Sequence, residues 1–107
     1  MAKKIINKRK EECYISGKIS GLPFEEVVAK FAEAEKEVIK LGYKPINPTK
    51  NGVNSDKWGD HMVEDIRNLN RGKAIYFLND WEDSAGSLIE HQFGVNGGKV
   101  LIYQPKK

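Results

Sequence analysis

Residues 74–90 read Ala74-Ile75-Tyr76-Phe77-Leu78-Asn79-Asp80-Trp81-Glu82-Asp83-Ser84-Ala85-Gly86-Ser87-Leu88-Ile89-Glu90. The first five are apolar without a break. A run this short and unbroken predicts a central strand covered on both faces, because a half-exposed strand would alternate. Asn79 to Asp83 is polar apart from Trp81 and reads as a loop. Ser84 suits a helix N-cap, and a helix is expected from there to about Phe93.

Working outward, the same alternation repeats. Upstream, Trp58 to Leu69 carries Met62, Ile66 and Leu69 at helical spacing, with Gly72 after it. From Phe24 to Leu41 the apolar residues are Phe24, Val27, Val28, Phe31, Ala34, Val38 and Leu41, one helical face, and Gly42 suits its end. Tyr43 to Pro48 reads as an edge strand, since proline is tolerated there and not in a central ladder. Cys13 to Ser16 reads as a short buried strand, and Val100 to Tyr103 as the last one. The order β-α-β-α-β-α-β predicts an α/β fold in three layers. Its sheet is four-stranded, mostly parallel and doubly wound, Rossmann-like or flavodoxin-like. Ligands of such sheets sit beyond the carboxyl ends of the strands. That rule selects the loops 17–22, 47–57 and 79–84.

The chain has 107 residues, enough for one domain. Residues 1–12 read as a flexible basic tail and 13–107 as the single domain. The formal charge is +3, from 18 basic and 15 acidic side chains. Seven of the basic groups and two of the acidic ones lie in residues 1–12 and 106–107. Residues 13–105 therefore hold 11 basic against 13 acidic groups. A body of charge −2 argues against nucleic acid as a partner. Cys13 is the single cysteine, so no intrachain disulfide forms, which fits a reducing compartment. No apolar run reaches the ~18–20 residues that a bilayer requires, so no membrane partner is expected and the location expected is cytoplasmic. A chain this small encloses a ligand best with a second subunit, which predicts a homodimer or higher homo-oligomer.

Several residues could carry chemistry. Glu90 lies in an otherwise apolar helix beside Leu88, Ile89 and Phe93. A carboxylate there either points toward the strand ends or sits on the surface. Six residues separate it from Ser84, so both could border one pocket. Asp65 follows His61 by four residues and shares its side of the helix. No third and fourth ligand joins them, so no metal is expected. His61 and His91 read as surface or hydrogen-bonded residues. Gly17-Lys18-Ile19-Ser20-Gly21 follows a strand and precedes a helix, a place either for an anion or for a plain tight turn. Trp58 and Trp81 either stack on a ligand or cover the core. Cys13 reads as packing.

Together these segments resemble the nucleoside 2-deoxyribosyltransferase superfamily, and within it the short uncharacterised members common in phages and prophages. The resemblance runs from about Tyr14 to Tyr103. It rests on Tyr14-Ile15-Ser16-Gly17 with Gly21, on Asn47-Pro48, and on Trp58 with Met62-x-x-Asp65-Ile66. It rests further on Trp81-Glu82-x-Ser84-x-Gly86 followed by Glu90. The resemblance implies Glu90 as a nucleophile toward C1′ of a nucleoside or nucleotide, and Asp65 as the acid that helps the base depart. It implies substrate contacts from Tyr14, Gly17, Lys18, Asn47, Trp58, Trp81, Ser84 and Gly86, with no cofactor. Members acting on free nucleosides carry aspartate six residues before the nucleophile, and those acting on monophosphates carry serine. Ser84 therefore points to a 5′-monophosphate, and Lys18 suits its charge. The chain ends soon after the fourth strand, without the C-terminal segment of the larger enzymes. The expected function is N-glycosidic cleavage or (deoxy)ribosyl transfer. The alternative is a non-catalytic protein that senses or sequesters a nucleotide-derived ligand in the same pocket.

Overall fold

The computed structural model describes residues 10–106. Four strands, β1 (Glu12–Ser16), β2 (Lys44–Ile46), β3 (Ala74–Phe77) and β4 (Val100–Tyr103), alternate with three helices, α1 (Phe24–Lys40), α2 (Trp58–Arg71) and α3 (Ala85–Asn96). Single 3₁₀ turns lie at Pro48–Lys50 and Trp81–Asp83. The sheet order is β2-β1-β3-β4, every pairing parallel. The three-layer α/β architecture is as expected, and 74–77 is the fully buried central strand that its unbroken apolar run predicts.

Strand alternation divides β1 between two cores. Cys13 and Ile15 join Ala74, Tyr76 and Leu78 against Val27, Phe31, Ala34 and Val38 of α1. Tyr14 joins Ile46, Leu69, Ile75 and Phe77 on the other side, backed by Trp81, Phe93 and Leu101. One helix therefore covers one face and two cover the other, as in a doubly wound sheet. The α3 layer lies close on the sheet at Gly94, where a Cβ would come within 2.6 Å of Ile75 Cδ1. The Cys13 thiol is fully buried, and burial pushes its pKa up to about 12.

Several boundaries differ from the sequence reading. β1 begins at Glu12, inside the segment expected as tail. The reason is backbone pairing: Lys73 N donates to Glu12 O at 2.8 Å and Lys44 N to Glu11 O at 2.9 Å. Residues 1–9 of that expected tail lie outside the described residues. β2 is only three residues, because the Asn47 side chain accepts from Thr49 N and starts the 3₁₀ turn. On α1 the buried face is Val27, Phe31, Ala34 and Val38. Phe24, Val28 and Leu41 are exposed, since they lie beyond the sheet's cover or at the rim of the stripe. Helices α2 and α3 run two and three residues further than expected. No described helix is long and apolar enough to cross a membrane.

Candidate functional site

β1 connects to β2 on one side and β3 to β4 on the other, so the chain departs in opposite directions from two adjacent strand ends. The loops that follow them separate there and leave a cleft. A cavity of about 930 Å³ occupies it. The loop after β1 lies flat on the end of β3: a Cβ at Gly17 would come within 2.5 Å of Leu78 Cδ1. Asp80 holds that loop in place, accepting from Lys18 N at 3.1 Å and pairing with Lys30 of α1.

Glu90 forms part of the cavity floor and is 4% exposed. It lies in the second turn of α3, whose start is fixed by Ser84: the Ser84 side chain accepts from Ser87 N at 3.1 Å. Alternation along β1 aims Tyr14 and Ser16 at the same helix. Tyr14 OH donates to Glu90 Oε2 at 2.9 Å, and Ser16 Oγ to Glu90 Oε1 at 2.7 Å. Ser16 and Ser87 hydroxyls meet at 2.9 Å. Ser16 has one hydroxyl proton, committed to Glu90, so Ser87 is the donor in that pair. A chain of hydroxyls thus runs from α3 through β1 back to the carboxylate.

Burial dominates the titration of this group. It pushes Glu90 up to about 7; the Ser16 bond opposes the rise, the Asp65 charge adds to it, and the Tyr14 bond opposes it. Tyr14 is raised well above its usual value, by burial first and then by the Glu90 charge. Asp65, on α2, is 9% exposed and lines the same cavity. Burial pushes it up to about 6, while a hydrogen bond from Asn51 Nδ2 at 3.1 Å and the nearby His61 pull it back. His61 is held one turn earlier, its ring nitrogen 2.7 Å from Ser55 O.

Eight of the ten site residues read from the sequence line this one cavity: Tyr14, Gly17, Lys18, Trp58, Asp65, Ser84, Gly86 and Glu90. The other two lie outside its lining. Asn47 is occupied by structure, donating to Glu35 Oε2 at 3.1 Å and capping the 3₁₀ turn. Trp81 stacks on His91 with ring centroids 4.4 Å apart and packs beside Phe77 and Tyr103. Ser16, Ser87 and Asn51 belong to the site and were not singled out from the sequence. Strand alternation with Tyr14 could have found Ser16, and the three-residue step to Glu90 could have found Ser87. Among the described residues no group of three or more His, Cys, Asp and Glu is placed to hold a metal ion.

A family model described as "Domain of unknown function (DUF4406)" matches residues 11–103. That span runs from the residue before β1 to the last residue of β4, and the chain belongs to this family. No curated protein matches the chain.

Proposed function

We propose that this member of the DUF4406 family cleaves the N-glycosidic bond of a nucleoside 5′-monophosphate, by hydrolysis or by transfer of the (deoxy)ribosyl group, with Glu90 as nucleophile. The observation that carries the reading is Glu90 itself, a carboxylate buried in the cavity floor with one hydroxyl donor on each oxygen. Such a group is fixed in direction, poorly solvated and still ionisable near neutral pH.

In the first step a Glu90 oxygen forms a bond to C1′. The C1′–N bond breaks, its electron pair leaves with the base, and the Asp65 carboxylic acid protonates the base. Positive charge that develops on the sugar faces two acidic side chains. In the second step water, or the nitrogen of another base, attacks C1′. The C1′–O bond to Glu90 breaks, and the Asp65 carboxylate takes the released proton. Lys18 and the N-terminal turn of α3 suit one phosphate: Ser84 Oγ accepts from Ser87 N, and its own hydroxyl proton remains to donate. Lys18 is the single Lys or Arg among the described residues of the lining, which favours a monophosphate over longer phosphate chains.

The test is incubation with a panel of ribo- and deoxyribonucleoside monophosphates and detection of free base by chromatography. Release that disappears in Glu90→Gln is expected. Absence of release across the panel, with tight nucleotide binding that survives Glu90→Gln, overturns the enzymatic reading in favour of a binding protein. The competent form has Glu90 ionised and Asp65 protonated, which is the minority arrangement when Glu90 titrates near 7 and Asp65 near 6. The rate should therefore pass through a maximum between those two values.

A further inference from the structure

The charge of the body is not spread evenly. Asp56, Asp65, Asp83 and Glu90 line the cavity at the carboxyl end of the sheet. At the amino end a second cleft, of about 450 Å³, lies between three turns: Lys10–Glu12, Arg71–Lys73 and Gly97–Lys99. Its rim holds Lys10, Arg71, Lys73 and Lys99 against Glu11 and Glu12. Glu12 is paired with Arg71 at 3.2 Å, which leaves three lysines facing one acid. Of these basic groups only Arg71, Lys73 and Lys99 fall within residues 13–105, and the net −2 of that span averages this basic end with the acidic cavity.

We propose that this basic amino end of the sheet docks the phosphodiester backbone of a nucleic acid, independently of the chemistry proposed for Glu90. Two features select a polyanion over a single bound phosphate. The amides that border the cleft are spent on the fold: Gly72 N, Lys73 N, Gly97 N, Gly98 N and Lys99 N each donate to a backbone carbonyl. These five amides offer no cradle for one phosphate, and the ammonium groups of Lys10 and Lys73 remain, which suit a repeating backbone. Lys73 and Lys99 also repel one another. Lys99 Nζ is tied to Asn70 O at 2.9 Å and Gly72 O at 2.5 Å, and burial together with Lys73 lowers its pKa. A phosphate between them would relieve that repulsion. An anionic membrane fits less well, because among the described residues none that lines the cleft has a large apolar side chain to insert.

The test uses the full chain and a fluorescein-labelled single-stranded oligonucleotide, with anisotropy followed across salt concentration. Binding is expected, with log affinity falling linearly in log salt. In Lys10→Ala/Lys73→Ala the magnitude of that slope should fall by about 1.4 and affinity at moderate salt on the order of tenfold. Neither side chain makes a hydrogen bond or ion pair to another described residue, so the variant keeps its fold, which circular dichroism checks. Lys57→Ala, an exposed lysine outside the lining of both clefts, should leave the slope unchanged. Three results overturn the proposal: no binding at low salt, a slope unaltered in the double variant, or uptake by phosphatidylserine vesicles that oligonucleotide does not compete away. Base release from monophosphates is unaffected by any of these outcomes, so the two readings fail separately.

Discussion

On the α1 side of the sheet β1 contributes Cys13 and Ile15; on the α2–α3 side the same strand contributes Tyr14 and Ser16. The first pair meets Phe31, Val38 and other side chains with nothing to titrate or donate except the thiol and the Tyr76 and Tyr43 hydroxyls. The second pair meets Glu90, Ser87 and the field of Asp65. One face collects dispersion and apolar burial, which stabilise. The other holds two carboxylates whose pKa values are raised, so their ionisation works against folding. Cohesion and chemistry are segregated by the two-residue period of a five-residue strand.

The largest effect that would sharpen this contrast is on catalysis: Glu90→Gln should lower base release by ~10³-fold or more in a steady-state assay. Phe31→Ala strikes the opposite face and should cost roughly 3–5 kcal/mol in chemical denaturation, without moving the pH profile of whatever activity remains. A comparable destabilisation from Glu90→Gln would break the contrast. Next comes the dependence of stability on pH. The folded pKa of Glu90 is raised, to about 7 from 4.5, so the folded state binds its proton more tightly. That contribution is complete below the unfolded value and is lost as pH rises through about 7, to a ceiling of roughly 3 kcal/mol. Glu90→Gln should flatten the decline, leaving the smaller one of the same sign from Asp65, and urea midpoints followed from pH 4.5, the unfolded value, to above about 7 would show it. Smallest is Tyr14→Phe. It removes one donor from Glu90, and the alkaline-shifted pH profile should cost about tenfold in rate at neutral pH. An unshifted profile would mean that the hydroxyl only packs.

The alternation of strands and helices and the layering were legible because they depend on short apolar runs and long periodic ones. Ala74–Leu78 could only be a covered strand, and the Val27–Phe31–Ala34–Val38 stripe could only be a helix. The inward aim of Glu90 was legible as one of two choices, and the structure selects it: Leu88 and Ile89 are exposed while the carboxylate between them and His91 is buried. Asn47 and Trp81 show the limit. Whether an amide serves a ligand or a 3₁₀ turn depends on Thr49 and on Glu35 from a distant helix. Whether an indole faces a cavity or a neighbouring ring depends on His91 and Tyr103, which only tertiary packing brings near. The bipolar charge was illegible for the same reason. Lys10, Lys73 and Lys99 are far apart in the chain, and a count over residues has no geometry.

The single thiol of the protein, Cys13, is sealed in the α1-side core. Alkylating reagents reach it only when that core opens, so the rate of modification counts excursions to the open state and needs no introduced probe. Each substitution named above could be ranked by that clock in the native protein, in dilute buffer and without denaturant.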